Sequence, residues 1–176
     1  MSSPDRGLLR AAIVALCLLT IAGCGFRPLL AERAGGVATR AELRSIAVDT
    51  VDGRFAQEVR NQVIFALSGG AMAEKTHYRL ALIVRQTELE TAIDPTFDRP
   101  TTTILNTTAT YRLYRYGEEK PLLTNTAFTS VSFDRSEQRF ANVRARRDAE
   151  DRAAGVLADD IRARLTVYFA ALQPEG

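Results

Sequence analysis

The sequence predicts an α+β fold: a two-layer sandwich in which two helices cover one face of a mostly antiparallel four-stranded sheet, in the order βαβββα. Three observations predict it. Residues 78–84, 102–116 and 123–133 alternate apolar and polar side chains, as strands with one buried face do. Phe55, Val59, Val63 and Leu67 recur every four residues, and Leu157, Ile161, Leu165, Tyr168 and Leu172 repeat at helical spacing. The three long strands follow one another between those helical segments, so hairpins join them and the helices are left to cover one side.

Each element has its own local reason. Leu43 to Thr50 reads as a short first strand. Asp52-Gly53 opens the first helix, and Ser68-Gly69-Gly70 stops it, because glycine supplies the left-handed cap conformation. Tyr78, Leu80, Leu82 and Val84 then alternate with polar neighbours, but Leu89 and Ile93 fall out of phase with them. A one-residue slip turns every later side chain over, so the pattern predicts a bulge or strand bend near Gln86. The prolines and aspartates of residues 94–100 form a turn, and residues 117–121 a hairpin turn. Leu105, Ala109, Tyr111 and Leu113 face inward on the third strand, as do Leu123, Ala127, Val131 and Phe133 on the fourth. Ser136 is the expected N-cap of a last helix over residues 137–172. The first half of that helix is mostly charge and alanine, suited to solvent or a polar partner.

The N-terminus carries a different message. Arg6 and Arg10 precede an apolar run over residues 11–21, and Ala22-Gly23-Cys24 follows. A basic start, a short apolar stretch and small residues before the cut describe a secretory signal peptide. The run is too short to span a membrane, which takes about 20 apolar residues. Ile21-Ala22-Gly23-Cys24 resembles the lipobox of bacterial lipoproteins. That resemblance implies cleavage between Gly23 and Cys24, a diacylglycerol on the Cys24 thiol and an acyl group, typically palmitate, on the new amine. With two or three chains at about 0.8 kcal/mol per buried methylene, such an anchor does not leave its membrane. Gly25, rather than Asp, follows the cysteine, which by the same resemblance implies sorting to the outer membrane. The expected organisation is a signal over residues 1–23, a lipidated tether over 24–41 and one α+β domain over 42–176.

Composition narrows the function. Removing the signal takes away Asp5, Arg6 and Arg10 and reduces the net charge from +2 to +1, too little for a nucleic-acid binder. Cys17 leaves with the signal, so Cys24 is the sole remaining cysteine and no disulfide or cysteine metal site forms within the chain. Apolar content of 46% is enough for a packed core. His77 is the only histidine and reads as a strand residue beside charged neighbours. There is no glycine-rich phosphate loop, no paired histidine spacing and no nucleophile elbow. Glu88 and Glu90 share a strand face without an evident acid/base partner. No enzyme, metal or cofactor is implied. The second face of the third and fourth strands is rich in hydroxyls and amides: Asn106, Thr108, Thr110 and Arg112, then Thr124, Thr126, Phe128, Ser130 and Ser132. It reads as an open solvated face, or as one suited to a wet enclosure such as the lumen of a large barrel.

Cys24-Gly25-Phe26-Arg27-Pro28-Leu29 resembles the opening of the lipopolysaccharide-assembly lipoproteins of the LptE family, and the order of strands and helices resembles theirs over nearly the whole mature chain. The resemblance implies a non-catalytic plug inside the outer-membrane barrel that exports lipopolysaccharide, an LptD-like partner, assisting its assembly and lipid delivery to the surface. It also implies contact with lipopolysaccharide through cations near strand ends, and by placement Arg99 and Lys120 are the candidates. The charged first half of the last helix departs from the family pattern. The alternative is an auxiliary lipoprotein of an ABC-type lipid transport system, although the paired tyrosines that such proteins carry near the anchor are missing.

Overall fold

The computed structural model describes residues 34–70, 75–94 and 99–172. The signal, the Gly23–Cys24 cleavage point and most of the tether lie outside these residues, as do positions 95–98 of the turn. Among these residues three helices and four strands follow in the order α1 (Ala34–Arg44), β1 (Ile46–Val48), α2 (Arg54–Ser68), β2 (Tyr78–Asp94), β3 (Arg99–Arg115), β4 (Pro121–Asp134) and α3 (Arg139–Ala171). The sheet order is β1-β2-β3-β4, with β1 parallel to β2 and the other pairs antiparallel. The α+β class is therefore as expected, while the sheet is mixed and a third helix precedes the first strand.

That extra helix replaces the end of the expected tether and the start of the expected strand. Gly35-Gly36 weaken local helix propensity, yet Thr39 and Leu43, one turn apart, are buried. Packing against α3 and α2 overrides propensity there. Ser45 ends α1: its backbone N–H donates to Ala41 O and Glu42 O, and its hydroxyl to Glu42 O at 2.7 Å. Only three residues remain for β1, and Arg60 of α2 donates to the carbonyls of Val48 and Asp49 at its end.

The expected bulge near Gln86 is absent. Register between β2 and β3 runs unbroken from Tyr78 opposite Arg115 to Asp94 opposite Arg99. What changes at Gln86 is chemistry, since the inward positions become Gln86, Glu88 and Glu90. An irregularity sits instead at Leu113/Tyr114 in the β3–β4 pair.

The core fills the space between the inner sheet face and the helices. Val59, Val63 and Leu67 of α2 meet Leu157, Ile161 and Leu165 of α3 above Leu80, Leu82, Tyr111 and Leu113. Burying each such side chain contributes about 1.5–3 kcal/mol. Phe169, rather than the exposed Leu172, closes the end of the α3 stripe, edge-on to Tyr78 at 5.0 Å. Gly69 ends α2 with a φ of 72°, as its sequence predicts. At the start of α3 the cap residue is Gln138. Ser136 does not cap; its backbone N–H and C=O are both engaged by the Asn142 side amide, at 2.7 and 2.8 Å.

Element lengths then fix what is covered. At about 1.5 Å per residue, the 33 residues of α3 span about 50 Å and the 15 of α2 only about 22 Å. The 17-residue strands extend about 55 Å. So α3 accompanies the whole sheet, and α2 covers less than half of it.

Candidate functional site

Buried residues of β2, β3 and β4 all lie on the helix-facing side, so the other side of the sheet is left open. Strand register arranges this open face in rows: Ala81–Arg112–Thr124, Ile83–Thr110–Thr126, Arg85–Thr108–Phe128 and Thr87–Asn106–Ser130. The hydroxyls of Thr110 and Thr126 are 3.2 Å apart, and Thr102 donates to Asp134 at 3.0 Å. Thr is favoured on such strands because its branched side chain fits the pleat. The result is a strip three strands wide, offering hydrogen-bond donors and acceptors, three guanidiniums (Arg79, Arg85 and Arg112) and scattered apolar groups (Ile83, Leu89 and Phe128). Such a surface suits hydrated polymer or a polar protein wall.

The two cations picked out by sequence are not brought together. Arg99 opens β3 rather than occupying the turn before it, and Lys120 is exposed in the turn after β3. The strand between them is roughly 55 Å long, so one phosphate group cannot touch both. Glu88 and Glu90 each meet an arginine, Arg146 and Arg135 respectively, at 2.5 Å. They are structural ion pairs. His77 is exposed beside β2, with its ring edge-on to Tyr78. Cys24 lies outside the described residues.

The first half of α3 holds what sequence reasoning missed. Phe140, Val143, Arg147, Glu150, Ala154, Leu157 and Ile161 are spaced alternately three and four apart, one continuous seam. From Glu150 onward the seam is buried against α2. Before it, beyond the end of α2, Phe140 is 86% and Val143 45% exposed. Arg139, Arg144 and Arg147 flank them with no ion-pair partner among the described residues. Extending the apolar stripe back by the same spacing would have found it. The opposite side of this half is not solvent: Ala149 and Ala153 pack on Leu105 and Val131. At the junction, Glu150 binds Arg54 and Arg146 and accepts a weak 3.4 Å hydrogen bond from Gln86.

Electrostatics are quiet elsewhere. Burial, then the Glu42 carboxylate, pushes the Tyr78 phenol above its usual range. Burial likewise raises that of Tyr111. Both move away from neutrality, the wrong direction for proton transfer at pH 7. Among the described residues no three His, Cys, Asp or Glu side chains are grouped to hold a metal, and no helix is long and apolar enough to cross a membrane.

The sequence model of the family LptE, lipopolysaccharide-assembly, matches residues 43–165, most of the chain. No curated protein matches it. Among solved structures the chain is similar to a lipoprotein from Caulobacter crescentus CB15, at 23% identity and a TM-score of 0.65, over 76% of this chain and 97% of that one. At that identity the likeness establishes the fold alone. The rare lipoprotein B of Shewanella oneidensis matches at 11% identity and a TM-score of 0.45, over 72% of this chain and 92% of that one, too distant to carry an argument.

Proposed function

From the premise that the chain belongs to the LptE lipopolysaccharide-assembly family, we propose that it is an outer-membrane lipoprotein, held by acyl groups on Cys24, that plugs the lipopolysaccharide-exporting barrel and helps assemble it. Its role in lipopolysaccharide assembly is non-enzymatic. The observation that carries the finer reading is the open face. A sheet side about 55 Å long, lined by Thr, Ser and Asn and left bare by all three helices, suits the hydrated polar wall of a wide barrel. A lipid-facing surface would be apolar instead.

The signal over residues 1–23, cut after Gly23, delivers the chain to the envelope, and acylated Cys24 holds it on the periplasmic side of the outer membrane. Lipopolysaccharide contact is assigned to Arg99 and Lys120 as two separate cationic points, one at each end of β3, since cations bind phosphate. Affinity purification of the full chain from detergent-solubilised membranes tests the reading. An equimolar complex with a barrel protein of several hundred residues, and a mass for the N-terminal peptide that includes the acyl groups, are expected. A free chain with an unmodified Cys24 contradicts it.

A further inference from the structure

Away from the open face, α1, α2 and α3 enclose a cleft of about 480 Å³. Its floor is apolar, built by Leu43, Leu67 and Ala158, and Phe65 stands at its mouth. Three guanidiniums converge on it: Arg40 and Arg44, one turn apart on α1, and Arg162 of α3. Arg44 and Arg162 have no ion-pair partner among the described residues.

Like charges at i, i+4 repel, so nothing in helix physics favours this convergence. Two negative features oppose it, the Asp159 carboxylate and the C-terminal end of α2 at Gly69, which carries about half a unit of negative charge. Arg44 and Arg162 alone outweigh both, and the cleft stays positive above a greasy floor. An anion with an apolar tail satisfies both halves at once. At about 480 Å³ the cleft has room for more than a phosphate, so a lipid headgroup with the start of its chain fits it.

We propose that this cleft takes the phosphate headgroup of a lipid from the leaflet that holds the anchor, with Arg44 and Arg162 on the phosphate and the Leu43–Leu67 floor under the first methylenes of its chain. The choice of leaflet lipid rests on the anchor at Cys24. Nine residues lie between it and Ala34, ten steps that reach at most about 36 Å, which keeps the start of α1 within that distance of the bilayer.

Calorimetric titration of the full chain in a neutral detergent with dihexanoyl phosphatidic acid tests this without needing the anchor or the barrel. Saturable binding is expected, weakened at least tenfold in R44Q/R162Q and unchanged in K75Q, with circular dichroism confirming that both variants fold. Inorganic phosphate is expected to bind at least tenfold more weakly than the lipid. Equal binding of phosphate, equal binding by R44Q/R162Q, or no saturable heat overturns the proposal. Barrel co-purification is a separate readout, so loss of one reading leaves the other standing.

Discussion

Arg54, in the first turn of α2, meets the carboxylate of Glu150, which is only 4% exposed on α3. The contact marks the point where α3 parts from its partner helix and continues alone along the sheet. Arg146 approaches the same carboxylate at 3.2 Å. The two arginine side chains are about half exposed, so the desolvation cost falls almost wholly on the glutamate. Removing the acid therefore leaves Arg54 in solvent and Arg146 still paired with Glu88, whereas removing the cations strands a buried anion. E150Q is expected to cost about 1 kcal/mol, whereas R54M/R146M costs about 3 kcal/mol or more. Urea unfolding of both variants checks the asymmetry; equal losses contradict it.

Tyr111 lies in the core with a hydroxyl that has no hydrogen-bond partner. Burying such a group costs about 1–3 kcal/mol, and the ring keeps its packing when the oxygen goes. Y111F is expected to leave stability unchanged or raise it by about 1 kcal/mol. A clear drop in melting temperature would show that the oxygen has a partner after all.

Alkaline pH gives a signed test of the same residue and of Tyr78. Their phenols are raised above 10.0, so the folded chain holds these protons after the unfolded chain has released them. The stability they contribute is complete below the unfolded value and disappears as pH rises through the folded ones. Urea midpoints should fall above about pH 10, and less steeply in Y111F. Identical slopes for the wild type and Y111F count against the assignment.

The outer edge of β4 has no charged residue from 121 to 133, an unguarded template for pairing with another chain. Side chains block it instead. Asn125 Oδ1 accepts the Thr126 N–H at 2.8 Å, Arg164 holds Asn125 at 3.1 Å, and Arg152 donates to Ser132 O at 3.2 Å. N125V/R152M is expected to self-associate with rising concentration in sedimentation experiments. A variant as monomeric as the wild type shows that the guards are dispensable.

Much of this was legible in sequence because it rests on local periodicity. The four-residue repeat of Phe55, Val59, Val63 and Leu67 with its Gly69 stop yields α2, and the alternation of β3 and β4 yields both the core face and the hydroxyl-rich open face. What escaped depends on tertiary context. Helix α1 forms because Thr39 and Leu43 are buried by other helices, against the propensity of Gly35-Gly36. Gln86, Glu88 and Glu90 look like a phase slip only until Arg146 and Arg135 are placed above them. The seam through Phe140 and Val143 was obscured by the arginines around it, and the separation of Arg99 from Lys120 required the strand lengths.

The central claim is that the barrel wall covers the open face, and crosslinking in intact cells addresses it directly. A photo-activatable side chain at Thr110 or Thr126 is expected to give one adduct with the lipopolysaccharide-exporting barrel, mapping to its lumen. A chain that reaches the outer membrane yet yields no adduct from either position, or one mapping outside the lumen, contradicts the account.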